Sequence, residues 1–329
     1  MITPIEFLAE PTHNNHRLDL FLKNNLPNIS RTKIQNDIKL SKVTVNNKII
    51  TSAKYIVKTN DLVTYNQHEE ITNETWLAKK IPFEIIFEDE HLLIINKPLN
   101  LTMHPGAGTL HNTLANGILE YIPTQASLDR AGIIHRLDKN TSGCCIVAKT
   151  TESQYKLTTM MQNRQIKRTY IALAHGVIEL ASTINAPIGR HPKKRTLMAV
   201  ANSGKIAITH CRPIINYPAH TLLEVNLETG RTHQIRVHLS HINHSIVGDK
   251  QYSNTFCAPK TYSALAKQLL TNYPQQALHA IQLSLNHPIL NNEIKVQATL
   301  PNDFLALLKA LKTNIIQQKE HDFAKLIDI

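Results

Sequence analysis

Between Ile134 and Gly143 the chain reads IHRLDKNTSG, which sets one carboxylate, Asp138, between two cations, Arg136 and Lys139. A carboxylate close to cations stays ionised. Held on a fixed loop, an ionised carboxylate can serve as a nucleophile or as a general base. Thr141, Ser142 and Gly143 are turn formers. Apolar runs stand on either side, Gly132-Ile133-Ile134 before and Cys144 to Ala148 after. The pattern predicts a tight acidic loop that leads into a buried strand. For a lone aspartate a plainer reading competes, a turn cap or an ion-pair partner of Arg136 or Lys139.

The length of the string decides against the plainer reading. HRLDKNTSG resembles the HRLDxxTSG signature of the RluA/RluC/RluD family of RNA pseudouridine synthases. Asn140 stands where relatives often carry an acid, at a position the signature leaves variable. Further strings occur in family order: KRTY (Lys167–Tyr170), LETGRTHQIRVHL (Leu227–Leu239), and ALHA (Ala277–Ala280) followed by His287-Pro288. HPGAG (His104–Gly108) and RHPKKRTLMAV (Arg190–Val200) point to the RluD-type branch. The resemblance spans residues 15–312. It implies an essential aspartate at Asp138 and an arginine partner for it at Arg231. It also implies a tyrosine against the target base at Tyr170, and Arg136 as the wedge that fills the space left by the flipped nucleotide. The implied substrate is 23S large-subunit ribosomal RNA, free or in a pre-ribosomal particle, at the helix 69 stem-loop. Converting uridine to pseudouridine breaks and remakes one base–sugar bond with nothing entering or leaving, so no cofactor is expected. The same chemistry on other ribosomal or transfer RNA sites is the first alternative. A non-catalytic RNA-binding assembly factor is the second.

Charge supports an RNA partner independently of the motifs. The 329 residues carry a net charge of +11, concentrated in two zones. Residues 130–260 hold 18 Lys and Arg against 6 Asp and Glu, and residues 15–65 hold 9 against 3. Two separated basic zones suit a polyanion gripped at two places. Lys193, Lys194 and Arg195 form a compact basic cluster in the first zone. His233 and the nearby His238, His241 and His244 invite a metal reading, but no acidic or thiol ligand accompanies them at metal-site spacing. They are read as exposed or RNA-facing, with no metal. The four cysteines show no C-x-x-C spacing and are read as small buried hydrophobes. No apolar run approaches the ~18 residues of a membrane span, and no secretory pattern opens the chain. A cytoplasmic monomer is expected.

The elements that must position these residues fall into two domains. Residues 15–66 predict two short helices, the second beginning after Ser30, then strands around an Asn46-Asn47 turn and a strand-like run at Tyr55-Ile56-Val57. This order resembles an S-four-type RNA-binding module, and the resemblance implies phosphate contacts from Arg17, Arg31, Lys33 and Lys42. Residues 1–14 show too little pattern to place. Residues 67–81 read as a polar linker and 82–312 as the catalytic domain, with a loosely held tail at 313–329. Many short strands with scattered helices predict an α+β fold with a mixed, mainly antiparallel sheet.

Overall fold

A computed structural model describes residues 2–318 except 28, 30, 69–75, 107–108, 195 and 254–257. It divides into two compact units, Met1–Thr75 and Trp76–Ile329. No helix among the described residues is long and apolar enough to cross a membrane.

The first unit contains β1 (Ile2–Leu8), α1 (Leu18–Asn25), α2 (Arg31–Lys39), β2 (Val43–Val45), β3 (Lys48–Ile49) and β4 (Leu62–His68). Leu18, Phe21 and Leu22 recur at helical spacing and pack with Ile34, Ile38, Val43 and Val63. Asn46 and Asn47 both adopt left-handed φ, 50° and 63°, and turn β2 into β3 as their sequence predicts. The sheet order is β1-β4-β2-β3. β1 falls in the stretch without legible pattern, because its place is fixed by pairing along β4, more than fifty residues away. The run at Tyr55–Val57 forms a bridge, Arg17 to Ile56, and bonds the backbone of residues 15–18 without becoming a strand of the sheet. Ser30, the expected helix cap, lies outside the described residues.

The second unit is built on one ten-stranded sheet. It opens with β5 (Glu84–Glu88) and β6 (Leu92–Lys97), then α3 (Leu114–Tyr121), β7 (Ser142–Ala148), α4 (Thr151–Gln162) and β8 (Lys167–His175). β9 (Ser182–Asn185), the ribbon of β10 (Ile188–Arg190) and β11 (Met198–Val200), and the long hairpin of β12 (Ile208–Asn216) and β13 (His220–Leu227) follow. Then come α5 (Gln234–His241), α6 (Ala264–Thr271), β14 (Leu278–Asn286), β15 (Glu293–Gln297), α7 (Asn302–Leu311) and β16 (Gln317–Gln318). The sheet runs β16-β12-β13-β8-β14-β7-β6-β5, with β15 beside β14 and β9 beside β12. Among the described strands only β14 and β7 pair in parallel, which gives the mixed, mainly antiparallel sheet expected.

Both faces of β6 and β7 are covered. Leu93, Ile95, Cys145 and Val147 enter the main core, while their neighbours Leu92, Ile94, Cys144 and Ile146 pack on the other side with Leu157 of α4. This two-sided burial explains the uninterrupted apolar runs around the acidic loop. Cys144, Cys145 and Cys211 are buried free thiols, and Cys257 lies outside the described residues. The end of the expected linker is docked, not free: Lys79 N–H donates to Asn116 O at 3.1 Å, and Asn116 Nδ2 donates to Leu77 O at 2.7 Å. The tail is also held further than expected. Ile316 N–H donates to Asn216 O at 2.9 Å, and β16 then pairs with the edge of β12.

Gly143 fixes the parallel pairing that anchors the acidic loop. Its φ is +112°, and a Cβ there would meet Ala280 O at 2.3 Å. Gly143→Ala is therefore expected to cost about 3 kcal/mol or more in denaturant unfolding. Gly106→Ala, where a Cβ meets nothing within 4 Å, should cost less than about 0.5 kcal/mol.

Candidate active site

The loop between Gly132 and β7 is shaped by an unusual left-handed turn. Arg130, Ala131 and Gly132 take successive φ values of 54°, 53° and 76°. Two of these are non-glycine residues, and such strain persists only where surrounding structure enforces it. Ile133 then bridges to Val147, and Thr141 N–H donates to Asp138 O at 3.1 Å, closing the loop over the start of β7. Below it Lys97, fully buried, donates through Nζ to the carbonyls of Pro98, Leu101 and Lys139 at 2.8, 2.9 and 3.3 Å. Burial pushes this ammonium down to about 8. The Asp138 side chain emerges 15% exposed into a cleft of about 760 Å³ that also contains Arg136, Tyr170, Arg231, His233 and Arg236.

The partner of Asp138 is Arg236, and the expected pairing with Arg231 is corrected. Arg236 Nη1 donates to Asp138 Oδ2 at 3.0 Å. The same guanidinium grips Asp249 with two bonds, Nε to Oδ2 at 2.7 Å and Nη2 to Oδ1 at 2.9 Å, and reaches Gln251 Oε1 at 2.7 Å. Burial works against its charge, but the hydrogen bonds and charge of Asp249, joined by Asp138, lift the guanidinium above its ordinary value. Arg231 sits in the turn before α5, and its Nε donates to Ile206 O at 3.0 Å. The turn is latched separately. Gln234 accepts from Thr229 Oγ1 and Arg231 N at 2.8 and 2.9 Å and donates to Ile208 O at 3.0 Å. Arg231 is thus held on the approach to the cleft, whereas Arg236 lies on the buried face of α5, where a cation must have a carboxylate. An arginine amid buried Ile235, Val237 and Leu239 was the available signal for this.

His238 is corrected as an exposed or RNA-facing histidine, while His233 lines the cleft. His238 is fully buried, 2.8 Å from Thr209 Oγ1 and 2.9 Å from Ala186 O. His233 caps α5 with a left-handed φ of 57° and turns inward. Tyr252 OH accepts from Met198 N at 2.9 Å and lies 2.7 Å from His233 Nδ1. His233 Nε2 lies 3.9 Å from Asp138 Oδ1. Burial pushes the imidazole below its ordinary value although Asp138 pulls the other way. The Tyr252 ring lies 4.9 Å from the Arg236 guanidinium carbon. One oxygen of Asp138, which lines the cleft, is therefore fixed by Arg236, and the other lies beyond hydrogen-bond distance of His233.

Tyr170 stands on β8, 5% exposed, and burial raises its phenol. Arg136 is exposed on the acidic loop at the edge of the cleft. Lys193 and Lys194 are exposed at the tip of the β10–β11 ribbon, and Arg195 lies outside the described residues. In the first unit the expected phosphate contacts are partly committed. Arg17 and Arg31 both bond buried Asp19, at 3.0 and 2.8 Å, and stay about a third to a half exposed. Burial opposes the charge of Asp19, but Gln35 and the two arginines hold its carboxyl below the usual range. Lys42 is bound to Asp37 at 2.9 Å. The side chain of Lys33 lies outside the described residues. Among the described residues no cluster of three or more His, Cys, Asp or Glu could hold a metal ion.

Comparison with known proteins fits this geometry. A family model described as RNA pseudouridylate synthase matches residues 91–241, and one described as S4 domain matches residues 16–63. The chain is 44% identical over 296 residues to Ribosomal large subunit pseudouridine synthase D of Pseudomonas aeruginosa, covering 90% of this chain and 92% of that protein. It is 42% identical over 323 residues to the protein of the same name from Escherichia coli (strain K12), covering 97% and 98%. Among solved structures it is similar to Human RNA Pseudouridylate Synthase Domain Containing 4, with a TM-score of 0.56 and 25% identity over 72% of this chain and 95% of that one.

Removing Arg236 strands two carboxylates, so Arg236→Met should lose about 3–5 kcal/mol in denaturant unfolding. Arg231→Met should lose less than about 1 kcal/mol. A pH effect follows from His135 and His279, which burial pushes down from 6.5 to about 3 and about 4. Between those values and 6.5 the unfolded chain binds more protons than the folded one. Stability should be complete above pH ~6.5 and fall as the pH drops toward 4. Thermal melts across this range check the direction. His135→Gln, which keeps an acceptor for the Ile146 N–H, should flatten the fall.

Proposed function

Because the chain belongs to the RNA pseudouridylate synthase family and carries an S4 domain, we propose that it isomerises uridine to pseudouridine in large-subunit ribosomal RNA, with Asp138 as the catalytic residue. The observation that carries this reading is the Asp138 carboxylate itself. One oxygen is tied to Arg236 and the other is presented to a nucleotide-sized cleft.

The reaction breaks the bond from uracil N1 to ribose C1′ and turns the ring. It then joins C5 to C1′, moves the C5 proton away and leaves N1 protonated. Atoms and electrons balance with no oxidant, reductant or second substrate. Asp138 is suited to act as the nucleophile toward sugar or ring, or as the base at the ribose, since Arg236 keeps it charged and aimed. Tyr170 is placed to pack against the detached ring, and Arg136 to occupy the stack that the flipped base leaves. Arg231, released from the pairing role, is read as a contact to RNA at the mouth of the cleft.

The RNA-contact reading extends to the exposed parts of Arg17 and Arg31 and to Lys193 and Lys194, which suit phosphate oxygens. Lys42 contributes to the field of the first unit more than to direct contact, because Asp37 occupies it. The names of the relatives support 23S ribosomal RNA, in free or pre-ribosomal form, as the substrate, and the RluD-type strings support the helix 69 stem-loop. A monomer is part of the same reading, and a ribosomal RNA substrate supports a cytoplasmic enzyme.

Asp138→Asn, nearly isosteric and uncharged, should lower pseudouridine formation by roughly 10³-fold or more while leaving RNA affinity within about threefold. Pseudouridine mapping and a binding titration on the same RNA measure the two quantities. An equal loss of both would remove Asp138 from the chemistry.

A further inference from the structure

Arg168 is a cation of the cleft that the chemistry above does not use. It stands two residues before Tyr170 on β8, so the two side chains leave the same face of the sheet, and both line the cleft. Its guanidinium lies against the Thr229–Arg231 turn, where a Cβ on Gly230 would meet Nη1 at 2.9 Å. Three other arginines of the cleft are engaged. Arg236 holds Asp138 and Asp249, Arg164 holds Glu228, and Arg231 donates to Ile206 O. Among the described residues the Arg168 side chain forms no ion pair and no hydrogen bond, and its Nε–H is buried without an acceptor.

A second unmet donor lies within electrostatic range. His135 Nε2 accepts the Ile146 N–H at 3.0 Å, so the neutral ring carries its proton on Nδ1, which is buried with no partner. His135 also lines the cleft, and the charge of Arg168 adds to burial in keeping it neutral. Buried donors without acceptors are costly, and two of them at one cleft point to an acceptor that arrives with the ligand.

Resting on the RNA-modifying reading above, we propose that Arg168, assisted by the Nδ1–H of His135, binds a backbone phosphate adjacent to the target uridine. The charge decides in favour of phosphate over the uracil carbonyls. Uracil enters neutral, and the negative charge of Asp138 is already met by Arg236. Only the phosphodiester brings a full negative charge in the ground state, and its two free oxygens match the guanidinium fork.

The test uses the full-length protein and a synthetic RNA hairpin with one target uridine. The linkage 5′ or 3′ to that uridine is either natural or an uncharged methylphosphonate. Arg168→Gln should weaken binding of the natural RNA roughly tenfold or more, raise KM while sparing kcat, and reduce the salt slope of binding by about one. At one of the two linkages the methylphosphonate should cost the unsubstituted protein a similar factor and cost Arg168→Gln nothing further. Arg168→Lys keeps the charge without the fork and should fall between; it replaces the glutamine variant if melting shows that variant unfolded. The proposal is overturned if both methylphosphonates penalise the variants as heavily as the unsubstituted protein. A loss confined to kcat with binding intact also overturns it and places Arg168 on the reacting base instead. The binding comparison needs no turnover, so a hairpin that is bound but never converted counts against the enzymatic reading alone.

Discussion

Arg236 is a cation almost removed from water, shared between a structural carboxylate, Asp249, and one that faces the cleft, Asp138. Its position is set by the first turns of α5, whose residues Gln234 to Leu239 are all buried. Asp249 takes two of its hydrogen bonds and so fixes the plane of the guanidinium. The remaining nitrogen then aims at Asp138 without freedom to wander. The acidic loop contributes the carboxylate, but α5 and the Gly248-Asp249 turn decide where it points. A site of this kind is only as well defined as the buried network behind it.

The sheet supplies the second constraint. β7 follows directly from the acidic loop, and its parallel contact with β14 is close enough that only a glycine fits at 143. Ser142 Oγ and His279 Nδ1 meet at 2.8 Å across that pairing. The loop therefore cannot slide along the sheet, because a shift of one residue would exchange the two buried faces of β7. Tyr170 is held on β8, which pairs with β14 on its other side. The carboxylate and the phenol are thus referenced to one strand between them.

Charge in the first unit shows how a sequence-level surplus divides between structure and surface. Asp19 is buried and draws in Arg17, Arg31 and Gln35, and Asp37 draws in Lys42 and Tyr65. These pairs orient α1 and α2 while leaving the arginines partly exposed. A positive face remains, although fewer of its charges are free than a count of residues implies.

The amino-acid order by itself determined the acidic loop, its buried strand, the Asn46-Asn47 turn and the chemistry of the family. Each of these rests on local pattern: turn residues, unbroken apolar runs, or a long contiguous motif. Tertiary structure alone decided that Arg236 and not Arg231 meets Asp138, that His233 faces inward through Tyr252, and that Arg168 has no counter-ion among the described residues. It also placed β1 and β16, which have no signal except through strands far away in the chain. The reason is common to all of them. Which of two nearby arginines is buried, and which carboxylate meets it, depends on how a helix rolls against a sheet assembled from distant segments, and residue type at short range carries no information about that roll.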